Sequence, residues 1–94
     1  MEMSLTFEWH EAKAEMNLAK HGVGFDEAKT VFNDPRAISI ANLDHSVDEQ
    51  RYIVIGISNR LRVLTVSYTE RGDNMRIISA RKATTRERNN YEND

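Results

Sequence analysis

The chain has 94 residues, of which 30% are charged, with no cysteine and a net charge of −2. That length fits one small core and is too short for two, and burying only roughly 60–65% of its extended surface makes such a fold modestly stable. Without cysteine there is no disulfide framework and no thiolate chemistry, and no apolar run approaches the roughly 18 residues that span a bilayer.

The first residues, MEMSLTFEWH, lack the basic start and apolar run of a signal peptide, so the sequence reads as a cytoplasmic protein without a membrane association. The charge is unevenly spread. Residues 1–50 hold ten acidic residues against four basic ones, whereas residues 51–94 hold eight arginines and Lys82 against five acidic residues. An arginine-rich half suits a polyanion, because the planar guanidinium pairs bidentately with phosphate; it also suits an acidic protein.

In chain order, "LTFEW" alternates Leu5, Phe7 and Trp9 and predicts a short strand. Glu11 to about Lys20 predicts a helix, rich in Ala, Glu and Lys, with Ala12, Met16 and Ala19 at spacings of four and three. Gly22 is placed to end it, with Lys20 and His21 at the negative end of its dipole. A second helix is expected from about Asp26 to Asn33, with Phe25, Ala28, Val31 and Phe32 on one side and Pro35 as its stop. "RAISI" then precedes the polar loop "ANLDHSVDEQ". Three further strands follow, "RYIVIGIS", "RLRVLTVSYTE" and "MRIISARK", separated by "NR" and "GDN". Thr84-x-x-Glu87 is a capping-box pattern that opens a short polar helix. The order β-α-α-β-β-β-β-α describes an α+β domain, a small antiparallel sheet with helices packed on one face.

The last hairpin concentrates cations. A two-residue turn at Gly72-Asp73 pairs Tyr68 with Ile77 but also Leu64 with Arg81, which mixes the faces. A three-residue loop, Gly72-Asp73-Asn74, pairs Glu70 with Arg76, Tyr68 with Ile78, Val66 with Ala80 and Leu64 with Lys82, and it puts Asn74 where a left-handed residue is wanted. The three-residue register is the better sorted. In it Arg76 forms a cross-strand ion pair with Glu70, and Lys82 snorkels from the rim of the apolar side. Arg71 and Arg81 share the polar side with Thr65, Ser67, Thr69 and Ser79, a surface able to grip a phosphate backbone. The two arginines lie roughly 20 Å apart at about 3.3 Å per residue, so they contact a strand of nucleic acid rather than clamp one phosphate.

His10, His21 and His45 form no metal-ligand spacing, His45 beside Ser46 is no triad signal, and there is no Gly-rich phosphate loop. No metal and no cofactor is expected.

Three blocks carry a family resemblance over nearly the whole chain. They are "FEW…K…NLAKHGVGFDEA" from Phe7 to Ala28, the "DHS" loop from Asp44 to Ser46, and "ERGDNMRIISARKATTRERNNYE" from Glu70 to Glu92. Together they resemble the BrnT family of bacterial type II toxins. The chain departs from the family pattern at His10-Glu11, where Asp-Pro is frequent, and at Gly24, where Ser is common. Both positions are helix starts.

The resemblance implies a ribonuclease toxin with a RelE-like fold that cleaves RNA without metal and inhibits translation. It also implies neutralisation by a BrnA-like antitoxin whose ribbon-helix-helix domain binds operator DNA, so that the toxin meets that DNA only through the antitoxin. On this basis Arg81 stabilises phosphate charge and Arg71 grips the substrate. Lys20 and Glu70 join the catalytic set through the matching motifs, and Arg76, Lys82, Ser67 and Ser79 are RNA contacts. A second reading of the same face is a non-enzymatic module that docks an acidic protein or nucleic acid.

Overall fold

A computed structural model of the protein describes residues 5–42 and 49–93; the Asp44–Ser46 loop, with His45, lies outside the described residues. Strand β1 (Thr6–Glu8) leads into helix α1 (Glu11–His21) and helix α2 (Phe25–Ala28), which continues as a 3-10 helix over Lys29–Asn33. Strands β2 (Ile38–Asn42), β3 (Arg51–Ile57), β4 (Val63–Arg71) and β5 (Asn74–Lys82) follow, and α3 (Thr85–Glu92) ends the chain's regular structure. The element order is the expected one, and the class is α+β.

Local chemistry accounts for the helix boundaries. Gly22 takes a left-handed φ of 69° and donates its N–H to the Leu18 carbonyl, ending α1 as its position predicts. The second helix tightens into a 3-10 turn where the Thr30 hydroxyl donates to the Glu27 carbonyl at 2.7 Å and also accepts from the Asn59 N–H. That side-chain bond competes with the regular helical ladder. Phe25, Ala28 and Val31 are buried beneath it, and Phe32 meets Phe7 and Tyr68 edge-on, as the one-sided pattern requires.

The apolar stripe of α1 is different from the expected one. Met16 is 71% exposed, and Ala12 and Ala19 also face outward. The buried position is Asn17, with Ala14 packed partly against the core. A hydrogen-bond demand sets this choice. Asn17 donates to the carbonyls of Val23 and Ala80 and accepts from the Ala80 N–H, so its amide closes the outer edge of β5.

The sheet runs β1-β5-β4-β3-β2. Four strands are antiparallel neighbours as expected, but β1 adds to β5 in parallel, pairing only Thr6 to Glu8 with Asn74 to Arg76. The β4–β5 hairpin combines both candidate registers. Near the turn it follows the two-residue loop, with Arg71 opposite Asn74, Glu70 opposite Met75 and Tyr68 opposite Ile77. A bulge between Ser67 and Tyr68 then absorbs Ile78, after which Ser67 meets Ser79, Val66 meets Ala80 and Leu64 meets Lys82. One inserted residue thus restores the core sorting that the short turn alone would spoil. Gly72, at φ 61°, takes the left-handed position expected of Asn74, as a turn with a glycine at its first central position demands. The ion pair expected between Arg76 and Glu70 is therefore not formed; Arg76 bonds Glu8 on β1 at 2.9 Å.

Val54, Leu64, Val66, Tyr68, Ile77 and Ala80 give one sheet face to the core, covered by α2 and the 3-10 helix. Helix α3 departs from the one-face expectation. Its Glu87 bonds Thr65 and Arg81, which alternate with Leu64 and Ala80 and so belong to the opposite face. Its Tyr91 hydroxyl reaches Asp34 at 2.5 Å. Burial opposes ionisation of Asp34, but donation from the Ile57 N–H, Tyr91 and the Arg36 N–H holds its carboxyl below the usual value.

The 3-10 helix sits tight on β3. A Cβ at Gly56 would lie 2.9 Å from Val31 Cγ1, 3.0 Å from Ala37 Cβ and 3.1 Å from Asp34 Oδ2. Gly56→Ala is expected to lower stability by about 1–3 kcal/mol through this overpacking. Urea unfolding measures it, and an unchanged midpoint would mean that the 3-10 helix moves aside freely.

Candidate nucleic-acid interface

Strand alternation and register place Arg51, Ile53 and Ile55 of β3, Thr65, Ser67, Thr69 and Arg71 of β4, and Arg76, Ser79 and Arg81 of β5 on the face opposite the core. They form cross-strand rows. Arg51, Thr69 and Arg76 lie side by side; Ile53, Ser67 and Ser79 make the next row, and Ile55, Thr65 and Arg81 the one after. With neighbouring strands about 4.8 Å apart, Arg51 and Arg76 stand roughly 10 Å from each other, and Arg71 lies diagonally from Arg76 at roughly 7–8 Å. One end of the face therefore gathers three guanidinium groups around Thr69, which is itself buried and donates its hydroxyl to the Gln50 carbonyl.

Carboxylates moderate two of them. Arg51 pairs with Glu49 at 3.2 Å and Arg76 with Glu8 at 2.9 Å. Hydrogen bonding from Asn74 first, then from Arg76, with the charge of Arg71 adding to it, holds Glu8 below the usual carboxylate range. Among the described residues Arg71 is the cation of this cluster without a salt bridge, although its charge still acts on Glu8. It is exposed at the hairpin end.

Arg81 is held differently. Its guanidinium forms two parallel bonds to Glu87, at 2.7 and 3.0 Å, while Glu87 also accepts from the Thr65 hydroxyl and the Thr84 N–H. The expected capping box is present, since Thr84 accepts from the Glu87 N–H. Arginine hydrogen bonding first, with the Thr84 N–H and Thr65 hydroxyl assisting, lowers Glu87 to about 2 and overcomes its burial. The carboxylate thus occupies the fork of Arg81 that a phosphate would need.

The other candidates divide. Ser67 and Ser79 face each other in the middle row, beside the arginines. Lys20 lies on α1 and shares a groove with Ser79 at the outer edge of β5. Glu70 is exposed opposite Met75 and alternates with Arg71, so it sits on the other side of the sheet from the arginine face. Lys82 is exposed opposite Leu64, also off that face. The structure therefore places Arg71, Arg76, Arg81, Ser67 and Ser79 on one face, with Arg71 and Arg81 at its opposite ends, and Lys20 and Ser79 line one groove at the β5 edge.

Sequence reasoning missed Arg51, Glu8 and the second role of Glu87. Arg51, Ile53 and Ile55 alternate legibly in "RYIVIGIS", but which face they join depends on the β3–β4 register, and five residues rather than two separate those strands. It also missed the isoleucines Ile38, Ile40 and Ile53, which extend the same face toward the edge strand β2, where Ile40 is 54% exposed.

The family model for the ribonuclease toxin BrnT of type II toxin-antitoxin systems matches residues 9–87, which include the arginine-bearing hairpin and Glu87. The chain belongs to the BrnT family. Among solved structures it is similar to the Brucella abortus ribonuclease toxin BrnT, at 26% sequence identity and a TM-score of 0.68, over 87% of this chain and all of that one. Among curated proteins no sequence matches. The matched region of this BrnT chain begins at Trp9, one residue beyond Glu8, so the carboxylate on Arg76 lies outside it. Among the described residues, no helix is long and apolar enough to cross a membrane.

The Glu87 linkage fixes a pH dependence. A carboxyl lowered from 4.5 to about 2 adds stability that is complete above about pH 4.5 and is lost as pH falls toward 2. Glu87→Gln is expected to be less stable than the wild type at pH 7 by about 1 kcal/mol, the scale of a lost cap. That difference should shrink steadily between pH 4.5 and 2 in urea unfolding series. A difference that ignores pH would show that the ionised carboxylate is not what holds Arg81.

Proposed function

We propose that this chain is an RNA endonuclease that works without a metal ion, the toxin of its module. The observation that carries the reading is the clustering of Arg51, Arg71 and Arg76 around Thr69 on one face, continued by the Ser67–Ser79 row. Guanidinium and hydroxyl groups at these spacings suit successive phosphates of a single strand.

Cleavage without metal requires three things: the 2′-oxygen loses a proton, the phosphorane charge is held, and the leaving 5′-oxygen gains a proton. Arginine supplies the second. Arg71, which holds no salt bridge, grips the substrate, and Arg76 trades its bond to Glu8 for a phosphate oxygen. Arg81 stabilises charge once substrate phosphate displaces Glu87 from its fork. While it pairs with Arg81, Glu87 is held near 2 and is too weak a base to take a 2′-proton. Lys20 stands near Ser79 and adds positive charge at the β5 edge. We assign Glu70 and Lys82 no part in the chemistry, since they sit off the arginine face.

The antitoxin is proposed to be BrnA-like, with a ribbon-helix-helix domain that carries the complex to operator DNA. Translation stops as the toxin's RNA targets are cut, and resumes when the antitoxin covers the arginine face. The exposed Ile40, with Ile38 and Ile53 beside the arginines, supports that docking, because apolar and guanidinium groups together suit a protein interface.

End-labelled RNA incubated with the protein in EDTA tests the proposal. The wild type is expected to cleave, Arg71→Ala to cleave on the order of a hundredfold more slowly, and purified antitoxin to suppress the wild type. Intact RNA in the wild-type lane would overturn the nuclease reading. Undiminished cleavage with antitoxin present would overturn its neutralising role.

A further inference from the structure

The outer edge of β5 and the outward stripe of α1 line an open surface groove of about 590 Å³. It exists because β1 stops at Arg76, leaving the remainder of β5 without a strand neighbour on that side. Asn17 closes this edge at Ala80 alone. The bulge takes Ile78 out of the β4 ladder, and Ile78 and Ser79 become one wall. Met16 forms the facing wall, 71% exposed although it is a large apolar side chain at helical spacing from Ala19. Lys13 and Lys20, two helical turns or roughly 10 Å apart, stand at its two ends.

The chemistry of the lining is specific in kind. An apolar slot between Met16 and Ile78, flanked by two ammonium groups, matches a ligand with a flat apolar ring and negative charge on either side of it. Ser79 belongs both to this wall and to the Ser67–Ser79 row of the arginine face, so the slot opens onto the proposed phosphate track. We propose that this groove is the base-binding subsite of the RNA site. One unstacked nucleobase lies between Met16 and Ile78 while Lys13 and Lys20 pair with the phosphates flanking it. The inference rests on the arginine face being an RNA surface. It adds that the strand turns off that face at Ser79 and buries a base against α1.

Methyl resonances separate the two readings. The full-length chain, ¹³C-labelled at Met and Ile methyls, is titrated with a 2′-O-methyl RNA hexamer of mixed sequence, which binds without being cut. Ile53 reports the arginine face, and Met16 and Ile78 report the groove. All three are expected to shift with one dissociation constant. Met16→Ala, an exposed position whose loss spares the core, should weaken hexamer binding about five- to tenfold, with Met16→Leu restoring it. Shifts at Ile53 with none at Met16 and Ile78 would overturn the subsite and leave the RNA surface standing. Shifts at none of the three would overturn both.

Discussion

The buried amide of Asn17 is the constraint from which the site geometry follows. Strand β1 covers only the first three residues of β5, and an open strand edge beside a helix leaves backbone donors and acceptors that must be met. Asn17 meets them with both its oxygen and its nitrogen at Ala80, and spends its second N–H on Val23 in the α1–α2 turn. Each such buried group left unpaired would cost about 1–3 kcal/mol, so three bonds through one side chain fix the helix against the strand. That attachment sets the distance between Lys20 and Ser79 and turns Met16 outward.

The second organising feature is the pairing of arginines by carboxylates that come from outside the hairpin. Glu8 arrives from β1, Glu49 from the segment before β3, and Glu87 from α3. Each lets a guanidinium stand on the sheet without facing another unscreened cation, and each occupies the position a phosphate oxygen would take. The fold so carries its own anions on the arginine face. Substrate must displace these carboxylates, but it meets arginines whose side chains are already held in place, which lowers the ordering cost of binding.

Much of this was legible in the chain. The element order, the Gly22 end of α1, the Phe25–Val31 face and the Thr84–Glu87 cap are local, and periodicity or capping chemistry reveals them. The hydroxyls of Thr65, Ser67 and Thr69 share a face with Arg71 in either register, and the three-residue register also puts Ser79 and Arg81 there; Arg76 joins that face only because the short turn governs its end of the hairpin. What failed was non-local. The parallel pairing of β1 joins residues 6–8 to 74–76 with no intervening signal. The bulge at Ile78 satisfies the turn and the core at once, whereas a sequence comparison of uniform registers had to choose. Hydrophobic spacing turned α1 toward Met16 because it counts apolar atoms and ignores the demand of a strand edge for an amide. Glu87 was visible as a cap, but its grip on Arg81 depends on α3 folding back over the opposite face.

The central claim, that the arginine face carries RNA through phosphate contacts led by Arg71, is tested most directly by the salt dependence of binding. The affinity of a non-cleavable single-stranded RNA is measured across a range of salt concentrations for the wild type and for Arg71→Ala. Loss of one phosphate contact should reduce the slope of log affinity against log salt by about 0.7 and weaken binding to all sequences alike. An unchanged slope, with the variant folded, would contradict the account and place the RNA elsewhere on the molecule.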